Sequence, residues 1–495
     1  MKKKKSMISR DRFIASIQIY NIYDLLKHLS ILSIECLFNK DKKIASSVIM
    51  ENFSLPTNRY KRKPLYITPW NLIDIVYYSV LYRNDMNNHV IESREQLLYI
   101  IAAYTSFSAE KESESSFINK QYAGSDTDFL LYVFGFLGEQ VRFQTPLLVF
   151  ENYCREKYIL FKFSSLIDNE INIENIVQSE IGLASDKVSI VLFYLWGIIS
   201  TSRSCIINPH IIAKKNIEVE TIEAVLHYYS IDITESLEGL SRQTFYAKPF
   251  IKMKDNSYLC INIFLLLFLF ENSTYWIIRN YFLTKGQKFI NAFGVYFEQY
   301  TEELFNIYLD STTFQRIDEG LQKRADWILI IGNYEILVEQ KSALAGIKAK
   351  QQESDFNETK KYVIRNWIKA ITQLSKTQED YGKKYIKWIL TYDKYYQAEA
   401  LEYAFSLPEC QIEDDGYYWL ISIDELEMLL HTYKFNHALF KDVMEVKISL
   451  EISKSRDGRS LSMIMQKLGF SKNEHIKQDI FQHLLKDVEY AVLST

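Results

Sequence analysis

Hydrophobic and polar positions along the chain follow two different periods. Up to about residue 240 the apolar side chains recur at helical spacing, in Phe13 to Leu32, Pro69 to Tyr82, Arg94 to Tyr104 and Ser189 to Ser200. This pattern predicts a series of packed amphipathic helices. The polar stretch Ala109 to Asp128, rich in serine, glutamate and lysine, is the expected loop of this half. A hairpin signal then marks a boundary: Lys248 to Lys254 and Ser257 to Ile261 flank Asp255-Asn256. Lys248, Lys252 and Lys254 read as edge-strand lysines that discourage aggregation, with phosphate contact as their second possible use. The apolar run Tyr258 to Phe270 is too short to cross a bilayer as a helix and reads as buried core.

The strongest strand signal is Ala325 to Lys341, where two apolar, β-branched runs flank Gly332-Asn333. Glycine first in a two-residue loop suits a type II′ turn, which sets the strand register. In that register Ile331 faces Tyr334, Trp327 faces Val338, and Asp326 lies across from Glu339. Side chains alternate with period two, so Lys341 shares the face of Glu339. Two facing carboxylates repel unless a cation sits between them or one takes a proton. A hard divalent ion, Mg²⁺ or Mn²⁺, resolves the conflict, and the neighbouring ammonium can orient a water or offset charge on a phosphate. An acidic residue two before a lysine also occurs at Asp41/Lys43, Glu358/Lys360 and Glu445/Lys447. Of these matches, Glu339/Lys341 is the one that ends an apolar strand with an aspartate facing it.

Helical patterns bracket the hairpin. Before it, Phe293, Phe297, Tyr300 and Leu304 form one buried stripe, flanked by Glu298 as a candidate metal-reaching carboxylate and by Glu302 as its competitor one turn on. After it, Thr359 to Thr377 reads as a helix with Val363, Ile364, Trp367, Ile371 and Leu374 inward. Lys361, Arg365, Lys369 and Gln373 form its polar stripe, the first three as phosphate contacts and Gln373 reaching toward the site. A strand Tyr385 to Thr391, a helix from about Gln397, a strand Tyr417 to Ile423 and a helix N-capped by Asp424 complete the unit. The last segment carries the basic turn Lys454 to Arg459, expected as a solvated loop that could touch nucleic acid, ahead of two short helical patterns.

Composition narrows the class. With 495 residues, 48% hydrophobic, 15 glycines and 7 prolines, the chain is long enough for two to four domains and should be mostly helical. A net charge of −4 excludes binding nucleic acid through overall basicity and requires a local basic surface. The cysteines Cys36, Cys154, Cys205, Cys260 and Cys410 are scattered, which argues against a zinc site or disulfide framework. The histidines His28, His89, His210 and His227 lack metal-ligand spacing. With no apolar signal core behind the N-terminal lysines, a cytoplasmic, membrane-free protein is expected.

These residues resemble the PD-(D/E)xK superfamily of restriction-endonuclease-like nucleases over about residues 285 to 430. The motif's proline is replaced by Ala325. The resemblance implies Asp326 and Glu339 as metal ligands, Lys341 as the catalytic lysine, Glu298 as the first-helix carboxylate, and Gln373 as the later-helix glutamine. It also implies Mg²⁺ or Mn²⁺ as cofactor and nucleic acid as partner, with DNA preferred over RNA. The helical region before it looks like those attached to such domains in bacterial phage-defence and toxin effectors. The expected fold is therefore an α+β multidomain chain. It comprises a helical sensor, scaffold or interaction region (1–245), a hairpin and helical connector (246–284), a nuclease-like core with a mixed sheet flanked by helices (285–433), and a small helical appendage (434–495). The alternatives are an inactive nucleic-acid-binding or interaction subunit and an RNA-cleaving toxin with the same site. A homodimer or a partner subunit is compatible with each.

Overall fold

The computed structural model describes residues 2–38, 43–45, 65–66, 68–114, 143, 149–167, 171–235, 238–318, 324–344, 356–392, 400–454, 459–470 and 473–493. Helices dominate the first half, and their ends follow local chemistry. Where one helix was expected over Phe13 to Leu32 there are two, Lys2–Gln18 and Ile22–Phe38. The break sits at Asn21, whose side chain accepts from the N–H groups of Tyr23 (3.0 Å) and Asp24 (3.3 Å) and so caps the second helix. The helix Arg94–Glu114 runs into the segment expected as a loop, and residues 115–128 of that segment lie outside the described residues. Among the described residues no single helix is long and apolar enough to cross a membrane.

The first sheet joins strands β1 (Ile206–Ile207), β2 (Ser230–Ile231), β3 (Phe250–Lys252) and β4 (Tyr258–Cys260) in the order β1-β4-β3-β2. It pairs strands from both sides of residue 245, and β3 is an inner strand rather than the expected edge. The hairpin between β3 and β4 has a three-residue loop instead of two. Met253 N–H donates to Ser257 (2.8 Å), Asn256 N–H to Met253 (3.1 Å), and Asn256 takes the left-handed conformation at φ 60°. Asparagine tolerates that conformation better than most side chains.

The second sheet is mixed and has the order β9-β8-β7-β6-β5. Strands β5 (Phe314–Arg316), β6 (Trp327–Ile331) and β7 (Tyr334–Lys341) form an antiparallel meander, and β8 (Ile386–Thr391) and β9 (Tyr418–Ser422) add in parallel beyond β7. One face carries Trp327, Leu329, Ile336, Val338, Trp388 and Trp419, packed in one core with helices α3 (Lys288–Tyr308) and α5 (Ile423–Phe435). The other carries Leu337, Ile389, Tyr418 and Leu420 against Val363, Trp367, Ile371 and Leu374 of helix α4. Helix α4 consists of α-helical parts Phe356–Val363 and Lys369–Tyr381 around a wider π turn, Ile364–Ile368. The fold class is α+β with a mixed sheet between helical layers. The cap of α5 is Ser422, in a capping box with Glu425, whereas Asp424 lies inside the first turn.

A buried polar network fastens the helical half to this sheet. On α1 (Val149–Ile167), Arg155 makes two hydrogen bonds of 2.7 Å to the Glu427 carboxylate of α5. Glu427 also accepts from Tyr300 of α3 (2.6 Å) and from Asn473 (2.5 Å). Burial opposes ionisation of Glu427, but the guanidinium beside it wins and holds its pKa below the ordinary value. The next residue on α1, Glu156, accepts the Tyr275 N–H (2.6 Å) beyond the break at Asn272 in helix α2 (Ile263–Tyr281). Of the basic turn expected near the C-terminus, Lys454 is exposed as expected, Arg459 is instead buried and ion-paired with Glu402 and Glu451, and residues 455–458 lie outside the described residues.

Removing one partner of a fully desolvated pair strands the other charge, so Glu427→Leu should cost about 3–5 kcal/mol, read as a lower urea midpoint. Adding Arg155→Met to that variant should recover much of the loss. A single variant as stable as wild type would show that the pair does not hold the halves together.

Candidate active site

The hairpin has the expected register, pairing Trp327 with Val338 and Ile331 with Tyr334, around Gly332 at φ 60°. The hairpin's paired ladder ends at Trp327, one residue short of Asp326. There the Asp326 N–H donates to Val338 O (2.9 Å), a step short of the register, and its carboxylate accepts the Gln340 N–H (2.6 Å). Such bulge-like endings re-aim a side chain. The effect here is to fix the Asp326 carboxylate against the strand that carries Glu339 and Lys341.

Glu339 is 2% exposed. Burial first, and then the charge of Asp326, push its pKa up to about 8 against the opposing pull of Lys341 and Lys369. Lys341 Nζ bonds one Glu339 oxygen and lies 3.4 Å from Gln373 Oε1. The other oxygen, Oε2, is buried without a hydrogen-bond partner. Gln373 Nε2 also donates to the Arg324 carbonyl (3.1 Å), so the glutamine bridges the two hairpin strands. Asp326, Glu339, Lys341 and Gln373 therefore converge. Lys369 is exposed one turn before Gln373, close enough for its charge to act on Glu339. The Lys369 N–H reaches back to Ile364 O across the π turn. Four residues of α-helix overshoot a full turn by about 40°, and this wider turn takes back part of that drift between Arg365 and Lys369. Arg365 is exposed, and Lys361 pairs with Glu358 at 2.8 Å.

Glu298 stands elsewhere. Its helix, α3, packs on the face opposite Glu339, as Gln340 shows: the side chain between Glu339 and Lys341 points to that face and donates to Thr301 (2.5 Å). Arg316, directly across from Trp327 on that same face, forms the ion pair with Glu298. Glu302 accepts from Gln299 on its own helix (3.4 Å). Accordingly, among the described residues no three His, Cys, Asp or Glu side chains are grouped to hold a metal. Asp326 and Glu339 suit a divalent ion in a different way. Mg²⁺ is commonly held by one or two carboxylates with water and phosphate completing the shell, and the unpartnered Glu339 Oε2 is an oxygen awaiting such a charge.

Gln340 and Thr377 escaped the sequence reading. Gln340 accepts from Trp327 Nε1 (2.8 Å), tying both hairpin strands to α3. Its signal was present: it occupies a position where Ile336 and Val338 set an apolar phase. No family model, curated protein or solved structure matches the chain.

Glu339 has a direct consequence for pH dependence. A carboxyl whose pKa is about 8 when folded, against 4.5 ordinarily, favours the folded state below pH 4.5 and loses that contribution as pH rises through 8. In chelator, the melting temperature of wild type should therefore fall relative to Glu339→Gln between about pH 5 and 8.5. Millimolar Mn²⁺ should restore wild type alone. Parallel pH profiles for the two proteins would contradict the buried-carboxyl reading.

Proposed function

We propose that the chain is a divalent-metal-dependent nuclease that hydrolyses phosphodiester bonds, with DNA as the preferred substrate. On this reading the mixed sheet with α3, α4 and α5 is a restriction-endonuclease-like core, in keeping with the PD-(D/E)xK resemblance. The observation that carries it is the buried Glu339, held protonatable beside Asp326, with one oxygen unpartnered and Lys341 on the other. Mg²⁺ or Mn²⁺, when bound, supplies Lewis-acid polarisation of the phosphate. Asp326 and Glu339 are its holders. Lys341, released from Glu339, orients the attacking water and offsets charge building on the phosphate. Gln373 keeps that ammonium in place, while Lys369 and Arg365, with Lys361 farther along, contact the nucleic-acid backbone. Glu298 retains a supporting role through Arg316.

The setting that fits is bacterial anti-phage defence, in the cytoplasm, with the helical half sensing a trigger or contacting a second copy or partner subunit. The closed Glu339–Lys341 pair favours one alternative, a binding subunit whose nuclease fold is inactive.

Supercoiled plasmid separates the two. Wild type with Mg²⁺ or Mn²⁺ should nick or linearise it, chelator should abolish this, and Lys341→Ala should slow it by about 100- to 1,000-fold. Full cleavage by Lys341→Ala sinks the site assignment. Cleavage of a matched RNA duplex but not DNA would move the substrate to RNA, and binding without cleavage would support the inactive subunit.

A further inference from the structure

We propose that Thr377 is a positioning residue for the Asp326 carboxylate, an inference that rests on the metal-site reading above. Thr377 is fully buried on α4, on a face otherwise built from Val363, Trp367, Ile371 and Leu374. Its hydroxyl does two things. It accepts the N–H of Ala325 (2.8 Å), the residue immediately before Asp326, and donates to the Gln373 carbonyl one turn back (2.8 Å). The Gln373 side chain, in turn, donates to the Arg324 carbonyl (3.1 Å) and faces the Lys341 ammonium (3.4 Å). Two consecutive residues at the entry to β6 are thus gripped by one helix, from one N–H and one C=O.

The grip matters because the hairpin's paired register stops one residue short of Asp326, leaving its backbone one bond to each neighbour: its N–H donates to Val338 O (2.9 Å) and its C=O accepts from the Ile317 N–H (2.9 Å). Ala325, the next residue out, has its N–H on Thr377, so α4 continues the constraint on the chain leading into Asp326 where the paired register has ended. From there the Gln340 N–H fixes the carboxylate (2.6 Å). A group that must accept and donate at once, in a space bounded by apolar side chains, is a hydroxyl. Valine has its shape and neither function. Serine keeps both. Thr377 touches no reacting atom, and its effect reaches the site only through where Asp326 and Gln373 are held.

The test is Mn²⁺ binding to the full chain by isothermal titration calorimetry, for wild type, Thr377→Val and Thr377→Ser, with plasmid cleavage alongside. Thr377→Val should bind Mn²⁺ about 10- to 100-fold more weakly, the usual effect of losing a group that orients metal ligands. Its kcat should drop with KM for plasmid unchanged, and Thr377→Ser should stay within a few-fold of wild type. Unchanged Mn²⁺ affinity in folded Thr377→Val, with wild type binding well, overturns the inference alone. Should Thr377→Val not fold, Thr377→Ala, which leaves room for a water, replaces it with the same expected loss, and wild-type affinity there overturns the proposal. Absence of Mn²⁺ binding by wild type removes the metal-site reading itself and the inference with it.

Discussion

Strand register drives a carboxylate, Glu339, into the interior of the sheet, and the surrounding structure answers to that. An ionised carboxylate there has lost its water, faces the charge of Asp326, and has one bonded ammonium, Lys341, with the more distant Lys369 for compensation. Such a group is costly unless protonated, paired or bound to a cation. The unpartnered Oε2 shows that pairing with Lys341 is incomplete. A position that merely needed filling would take an apolar residue, as Leu337 does one step back on the same face. The local destabilisation is tolerable when a positive ion or a proton arrives, which is how functional sites commonly store strain.

Two helices hold this unfavourable arrangement still, one from each side of the sheet. From one side α4 reaches Arg324, Ala325 and Lys341 through Gln373 and Thr377, and from the other α3 reaches Gln340 through Thr301. Helix α3, with α5, is also where the helical half meets the sheet. Tyr300 joins the Glu427 carboxylate to which Arg155 is bonded, and Thr301, the next residue, bonds Gln340 beside Glu339. The buried ion pair and the candidate site are therefore successive contacts of one rigid helix.

The hairpin was legible because a two-residue glycine turn fixes pairing arithmetically, and alternation then fixes faces. That placed Glu339 and Lys341 together, and the helical period placed Gln373 near them. Glu298 shows the limit of this reasoning. A helical stripe says which side chains are buried but not against which face of a later sheet, and α3 packs on the face away from Glu339. Asp424 lies two residues past the true cap, Ser422, because the strand ends at Ser422 and the helix begins at once, at Ile423. The Arg155–Glu427 bond joins residues 272 positions apart and looks like surface charge in each local window. Thr377 was invisible for a related reason: its value lies in an N–H freed by the early end of a ladder. The π turn in α4 was likewise not visible in the side-chain period.

The most direct test of the central claim is anomalous diffraction from crystals of the full chain equilibrated with Mn²⁺ near pH 8. The account predicts one anomalous peak ligated by Asp326 and Glu339 Oε2, with Lys341 turned away from Glu339. Crystals saturated with Mn²⁺ that show no peak there, and an intact Glu339–Lys341 ion pair, would contradict it.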